Sequence, residues 1–224
     1  MKYATKYVSP VLTVDLILFR VIDGRLNVLL LNRPANPFKD YWSLPGGYAP
    51  RGETTLEALR RIMSYKIGID VKKLAYLDQL RAFDTVARDP RGHAVSIAYI
   101  AADNSVKPTK TAAEVAFFPV DNLPELAYDH QDIIQLGRDR LILEVNHTNL
   151  IKTLLPPLFT MADIQAAYEA VFGRELDKRN FQKKFFKLNQ VTATGKFKYN
   201  ANSRPAKLYK FNTSTINQLS NNLD

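Results

Sequence analysis

The front of the chain alternates apolar and polar positions with the two-residue period of β-strands. Residues 11–21 are rich in Val, Ile and Leu, and Asp23-Gly24 supplies a hairpin turn into a second apolar run at 26–31. Three further short strands are predicted at 77–83, 94–101 and 115–119. Between the third and fourth runs, residues 89–92 have the composition of a type I turn. These runs predict a sheet of short strands.

One helical pattern stands among these strands. Its apolar residues recur at the spacing of a helix face that packs on a core, namely Leu56, Leu59, Met63 and Ile67. Thr54 and Glu57 form a capping-box signature at the start, and Gly68 suits the left-handed stop at the end. A second face carries Ile62, Tyr65 and Lys66. A helix surrounded by short strands predicts the α/β class.

The pattern changes to the helical period in the back third of the chain. A helix is predicted from Asp129 to Val145, and the prolines at 156–157 end any helix and mark a domain edge. We therefore predict one domain over residues 1–150 and a second over 151–224. Only the first includes the predicted sheet.

The second domain has the element order of a winged helix-turn-helix. Thr160 caps a helix that ends near Phe172, and Gly173 stops it. Asp177 caps a second helix reaching about Leu188, which we expect to turn three rings inward, those of Phe181, Phe185 and Phe186. Residues 191–211 are predicted to form a hairpin, the wing. The polar tail from Asn212 is predicted to fray.

Composition sets the class of protein. The 224 residues contain no cysteine, so disulfides and thiolate metal sites are excluded. No apolar run approaches the roughly 20 residues of a membrane span, and the start lacks a signal-peptide core. We expect a cytoplasmic protein with no membrane partner.

The two halves of the chain differ in net charge. The net charge is +9, and residues 151–224 hold 12 Lys and Arg against 5 Asp and Glu, whereas residues 1–150 hold 19 against 17. An excess of cations in one domain favours a polyanionic partner for that domain. Six cationic or amide residues lie on the second helix of the predicted pair: Lys178, Arg179, Asn180, Lys183, Lys184 and Lys187. The wing is equally basic, with Lys196, Lys198, Arg204, Lys207 and Lys210.

These positions predict contacts with double-stranded DNA. Early residues of such a helix reach base edges in the major groove, so Arg179 and Asn180 are the candidates for base readout. The other helix cations, with Lys198, Arg204 and Lys207 on the wing, are expected to contact the backbone or the minor groove.

The segment from Gly47 to Ile69 resembles a Nudix box. Gly47, then five residues, Glu53, then seven residues and Arg61 reproduce the frame, and Gly68-Ile69 closes it. In the family, three glutamates near the end of the box hold Mg²⁺ or Mn²⁺ for diphosphate hydrolysis. Here those positions are Ile62, Tyr65 and Lys66, and none of them is a carboxylate. The resemblance thus implies a Nudix α/β/α sandwich that binds without hydrolysing, with no catalytic residue, metal site or cofactor.

Nearly the whole chain resembles the NrtR-type family of Nudix-related transcriptional regulators. The motifs that carry the resemblance are at residues 37–39, 42–47, 88–92, 118–120, 123–124, 127–130, 177–181 and 204–209. It implies a homodimeric repressor that binds an inverted-repeat operator and senses a small molecule. We expect ADP-ribose or a related metabolite, as in the branch that controls NAD metabolism, while a related branch senses pentoses. Two alternatives therefore stay open: a pentose-sensing regulator of sugar catabolism and an active ADP-ribose or nucleoside-diphosphate hydrolase.

The candidate effector-binding residues are Arg33, Gly46, Gly47, Arg61, Lys66, Arg88, Arg91 and His130. Arginine forks suit a diphosphate, which is the reason for including Arg33, Arg88 and Arg91. By resemblance, Arg61 also pairs with Glu53 to tie the loop to the helix, and Lys66 offsets phosphate charge in place of the lost cation.

Overall fold

A seven-stranded sheet organises the first half of the chain in the computed structural model, which describes residues 8–109, 113–199 and 204–219. The strands are β1 (Val11–Ile22), β2 (Arg25–Asn32), β3 (Trp42–Ser43), β4 (Gly46–Tyr48), β5 (Tyr76–Phe83), β6 (Ala94–Ala102) and β7 (Val115–Pro119). Their order is β3-β2-β1-β6-β5, with β4 paired to β1 and β7 paired to β2. The five predicted strands are confirmed, whereas β3 and β4 were not predicted.

Helix α1 (Thr55–Ile67) covers one face of this sheet. Thr54 and Glu57 make the predicted capping box, and Gly68 ends the helix with a φ of 65°. Its residues Leu59, Met63 and Ile67 are fully buried with alternate residues of β1, among them Leu16 and Leu18. The opposite residues of β1 are buried as well, so both faces of that strand are covered. A short 3-10 helix (Val71–Lys73) follows α1.

Helix and hairpin elements form the rest of the chain. They are α2 (His130–His147), a 3-10 helix (Asn149–Leu154), α3 (Met161–Phe172), α4 (Lys178–Lys187), β8 (Val191–Lys198) and β9 (Ala206–Phe211). The caps at Thr160, Gly173 and Asp177 are those that the sequence predicted. Helix α2 begins one residue later than expected and continues two residues further.

The chain divides into two compact units. The first comprises residues 1–18, 28–101 and 106–135, and the second comprises 19–27, 102–105 and 136–224. The predicted domain division at residue 150 stays a prediction.

Two expectations for the second unit are wrong. Phe181 and Phe185 point inward, but Phe186 is 46% exposed because it lies one position past the buried stripe of α4. The tail does not fray over its described part. The N–H of Leu219 bonds to the carbonyl of His147, and Asn149 binds the backbone of Asn217, so side-chain amides hold a segment that looks merely polar in sequence.

Candidate effector cavity and candidate DNA-binding face

A cavity of about 620 Å³ opens in the first unit. Strands β1, β2 and β4, helix α1 and the loops after β2, before β6 and before α2 contribute to its wall. All eight residues predicted to bind an effector line it: Arg33, Gly46, Gly47, Arg61, Lys66, Arg88, Arg91 and His130. The structure therefore brings these residues together, and their contact with a ligand stays a prediction.

A buried carboxylate, that of Asp15, organises the cavity floor. The Ser96 hydroxyl donates a hydrogen bond to it, Nε2 of His130 lies 3.7 Å away, and Nη2 of Arg88 lies 3.8 Å away. A Cβ on Gly46 would collide with this carboxylate, so only glycine fits beside it. Asp15 is not among the residues predicted from the sequence, although a carboxylate inside an apolar strand is a signal that the sequence carries.

The hydrogen bonding of His130 in this network is that of a neutral ring. Its Nδ1 accepts a hydrogen bond from the N–H of Leu44 at 2.9 Å, which places the remaining ring proton on Nε2. Burial lowers the pKa of His130, and the charges of Asp15 and Asp129 only partly oppose that effect. The ring is 3% exposed and anchors the first residue of α2.

Three of the cationic side chains that line the cavity hold carboxylates with two hydrogen bonds each. The pairs are Arg61 with Glu53, Arg88 with Asp129 and Arg91 with Asp89, and their shortest N–O distances are 2.7, 2.7 and 2.6 Å. The predicted pairing of Glu53 with Arg61 is confirmed. These bidentate contacts fix the loops and neutralise most of the charge that the arginines bring.

The other two cations, Arg33 and Lys66, bond to backbone carbonyls. Nε of Arg33 donates to the carbonyl of Pro37 at 2.9 Å, and Nζ of Lys66 donates to the carbonyl of Gly46 at 2.6 Å. Burial lowers the pKa of Lys66; the charge of Asp15 opposes this shift and the charge of Arg33 adds to it.

Aromatic rings lie beside two of the arginines that line the cavity. The Arg33 guanidinium lies 4.8 Å from the ring centroid of Tyr128, and Arg91 lies 5.9 Å from the same ring and 5.7 Å from that of Tyr48. Tyr128 and Phe38 both have positive φ angles, 58° and 62°, and their rings are 4.8 Å apart. Bulky side chains rarely adopt this conformation, and such residues cluster at functional sites. Tyr48 and Tyr128 also line the cavity, and neither is among the residues predicted from the sequence.

The three positions where the Nudix pattern has glutamates also line the cavity. Ile62 is buried in the core cluster as well as facing the cavity, Tyr65 is 69% exposed, and Lys66 points to Gly46. Within residues 8–109, 113–199 and 204–219, no group of three or more His, Cys, Asp or Glu side chains could hold a metal ion.

The second unit presents a basic face on α4. Asp177 caps the helix through the N–H of Asn180, and Phe181 and Phe185 pack against Tyr168, with ring centroids 5.4 and 6.3 Å from it. The six predicted DNA-contacting residues of α4 are all exposed on the outer side: Lys178, Arg179, Asn180, Lys183, Lys184 and Lys187.

The wing presents further exposed cations. Lys198 ends β8, Lys207 lies on β9, and Arg204 lies just before β9; all three are exposed. Nζ of Lys198 lies 3.5 Å from a carboxylate oxygen of Asp163, so part of its charge is offset. As for membranes, no helix in the described part of the chain is long and apolar enough to cross one.

Comparison with known proteins identifies both halves. The Nudix domain family matches residues 11–137, and the NrtR DNA-binding winged helix domain family matches residues 151–211. A protein of Acinetobacter baylyi described as an ADPR responsive transcriptional repressor, NtrR, is 34% identical over 213 residues, which are 92% of this chain and 83% of that protein. The chain belongs to the NrtR family.

Two further proteins are similar to this NrtR family member. The crystal structure of Shewanella oneidensis NrtR with a 27mer DNA has a TM-score of 0.78 at 26% identity and covers 95% of this chain and 99% of that one. The structure of the Nudix domain of the same protein with ADP-ribose has a TM-score of 0.54 at 29% identity. It covers 62% of this chain and 97% of that one. An ADP-ribose pyrophosphatase of Methanocaldococcus jannaschii is 37% identical over 131 residues, 58% of this chain and 73% of that protein.

The predicted architecture is thereby confirmed. An α/β Nudix domain comes first and a winged helix domain follows.

Proposed function

We propose that this chain is a transcriptional repressor that binds operator DNA through its winged helix domain and responds to ADP-ribose through its Nudix domain. The observation that carries the proposal is the similarity to the Acinetobacter repressor, which spans both domains. The pyrophosphatase similarity, by contrast, covers only 58% of the chain.

The cavity has the chemistry that ADP-ribose requires. Its volume of about 620 Å³ lies within the range of roughly 300–1,000 Å³ that small-molecule sites occupy. Arginine and lysine side chains at its wall suit a diphosphate, and Tyr48 and Tyr128 offer flat faces to a purine. The eight residues selected from the sequence are the proposed effector site.

We propose further that the chain does not hydrolyse its ligand. Hard divalent cations take oxygen ligands, and hydrolysis of a diphosphate by a Nudix site depends on such a cation to activate water. An aliphatic, a phenol and an ammonium at Ile62, Tyr65 and Lys66 do not fit that role. The expected result is no release of AMP and ribose phosphate from ADP-ribose in Mg²⁺ or Mn²⁺. Turnover would support the rival function that the pyrophosphatase similarity favours.

The proposed DNA partner is an inverted repeat bound by a homodimer. A two-fold dimer presents two copies of α4, separated by about one helical turn of DNA or by a small number of turns. Each half-site of the operator therefore receives one helix. Arg179 and Asn180, exposed early in α4, suit base edges, and the other exposed cations of α4 and the wing suit phosphates.

The test combines operator selection with ligand titration. Selection from random duplexes is expected to yield an inverted repeat, and fluorescence anisotropy then measures binding with ADP-ribose or L-arabinose present. We expect ADP-ribose to change the operator affinity at least about 5-fold, the lower end of typical allosteric coupling, and L-arabinose to leave it unchanged. A response to L-arabinose alone would replace the proposed effector with a pentose. Failure to select any sequence would contradict the repressor proposal itself.

A further inference from the structure

Most of the positive charge at the cavity is already neutralised. Of the five cations Arg33, Arg61, Lys66, Arg88 and Arg91, three hold carboxylates in bidentate pairs. Among the residues that the structure describes, Arg33 and Lys66 have no carboxylate within ion-pair distance. The buried carboxylate of Asp15 is a fourth negative group at the cavity, so five cations face four carboxylates. Arg33 and Lys66 are the two of these cations that no ion pair with a described residue occupies, and they are therefore the ones open to the negative charges of a diphosphate diester.

Both of these cations are held in place by a backbone hydrogen bond and not by an ion pair. Each donates one hydrogen bond to a neutral backbone carbonyl, Arg33 to Pro37 and Lys66 to Gly46. A guanidinium has five N–H donors and an ammonium has three. After these bonds, Arg33 keeps four donors for a ligand and Lys66 keeps two. Tyr128 lies under the Arg33 guanidinium at 4.8 Å and restricts its orientation further.

The two cations line the same cavity. Burial lowers the pKa of Lys66, the charge of Asp15 opposes this shift, and the positive charge of Arg33 adds to it. Two cations that repel each other in a partly buried site are stabilised by an anion that bridges them, because the bridge offsets both charges at once.

A divalent cation does not fit between these groups. Lys66 lies on the helix face where the Nudix pattern has carboxylates, and its ammonium is 2.6 Å from the Gly46 carbonyl oxygen. An ammonium supplies no lone pair to a metal and repels it, while the neighbouring Ile62 and Tyr65 supply no carboxylate.

We propose that Arg33 and Lys66 together hold the diphosphate of the effector, and that this fixed pair makes effector binding independent of any divalent cation. The inference rests on the proposed function, in which the effector is ADP-ribose. It assigns the diphosphate to these two residues and gives Arg88 and Arg91 the role of fixing the loops around it.

Calorimetry with ADP-ribose tests the pair directly. The dissociation constant of the unaltered protein is expected to agree within about 2-fold between EDTA and Mg²⁺ buffers. Arg33→Met and Lys66→Met are each expected to weaken binding about 10- to 100-fold, as for the loss of a charged hydrogen bond. Lys66→Arg, which keeps the charge, is expected to retain more affinity than Lys66→Met. Lys73→Met is the matched control, because Lys73 is exposed and does not line the cavity.

The possible results separate this inference from the proposed function. Binding that needs Mg²⁺, or variants that bind ADP-ribose as tightly as the control, would overturn the charge pair while leaving ADP-ribose as the effector. An unaltered protein that binds no ADP-ribose in either buffer would overturn both. The comparison of EDTA with Mg²⁺ needs no variant, so it decides the metal question even if a substitution prevents folding.

Discussion

At the scale of single residues, the cavity depends on contacts that are distant in sequence. Asp15 meets Ser96, 81 positions later, and His130 meets Leu44, 86 positions earlier. A one-dimensional pattern has no means of pairing such positions. The sequence therefore predicts which cations could bind a diphosphate. It does not predict that Arg88 and Arg91 donate hydrogen bonds to carboxylates, whereas Arg33 donates to a backbone carbonyl.

The two adjacent glycines of β4 are expected to tolerate a methyl group very differently. A Cβ on Gly46 would collide with the Asp15 carboxylate and the Val14 carbonyl, whereas one on Gly47 would meet the end of the Ile62 side chain at 3.2 Å. Backbone cannot yield as a side-chain terminus can, so Gly46→Ala is expected to cost at least about 2–3 kcal/mol of unfolding free energy and Gly47→Ala less than about 1. Urea unfolding of both variants measures this. Equal costs would contradict the packing described for β4.

The buried imidazole of His130 is expected to make the fold sensitive to acid. Its pKa in the folded protein is below the ordinary 6.5, because burial disfavours the charged ring. The unfolded chain then binds the proton more readily, so this contribution to stability is complete above about pH 6.5 and declines as the pH falls toward the folded pKa. One proton gives a slope of at most about 1.4 kcal/mol per pH unit.

The matched variant for this prediction is His130→Asn, whose side-chain oxygen can still accept the Leu44 N–H. Denaturant unfolding at a series of pH values from 7.5 down to 5 is expected to show a steeper loss for the unaltered protein. Carboxylates titrate in both proteins, so only the difference between the two slopes reports on His130. Parallel profiles would contradict a neutral buried ring.

At the scale of elements, local signals were enough to place helices and too weak to place the shortest strands. The capping box at Thr54 and the left-handed stop at Gly68 depend on neighbouring residues only, so α1 was predicted nearly to its ends. β3 has two residues and β4 three, which is too short for any period to show. Their existence depends on pairing with β2 and β1.

Helix α4 shows how one position decides burial. Phe185 is 1% exposed and its ring stacks on that of Phe181, while Phe186 is 46% exposed and its ring is tilted against that of Tyr209, with centroids 5.9 Å apart. We expect Phe185→Ala to cost about 3–5 kcal/mol of unfolding free energy and Phe186→Ala about 1. Thermal and urea unfolding compare the two, and a larger cost for Phe186 would mean that α4 is rotated from its described orientation.

The exposed face of α4 and the wing are expected to contact different parts of the DNA. Arg179 lies early in α4 and is the candidate for base readout, and Lys207 on β9 is the candidate for phosphate contact. Lys207→Ala should weaken operator and random duplex alike and reduce the salt slope of binding by about one, whereas Arg179→Ala should mainly relax sequence preference. Anisotropy over a series of salt concentrations measures both. Unchanged affinity of both variants for both duplexes would show that this face does not contact DNA.

At the scale of the whole molecule, helix α2 is one of the elements that run from the unit with the cavity into the unit with the candidate DNA-binding face. Helix α2 starts at His130, in the cavity wall, and its residues from Leu136 onward belong to the second unit. A dimer meets the half-sites of an operator only at a fixed spacing, so small changes in the arrangement of its parts alter affinity strongly. We propose that α2 transmits the state of the cavity to the winged helix domain.

This coupling has a thermodynamic consequence that can be measured from either side. A ligand shifts an equilibrium only by its differential affinity for the two states, typically about 1–3 kcal/mol, or about 5- to 150-fold. Operator DNA must then change the ADP-ribose affinity by the same factor by which ADP-ribose changes the operator affinity. Calorimetric titration of ADP-ribose into the free protein and into its operator complex measures that factor, with a random duplex of equal length as the control. Equal ADP-ribose affinities in the free protein and the complex would mean that the Nudix domain does not control DNA binding through equilibrium coupling, whatever ligand its cavity holds.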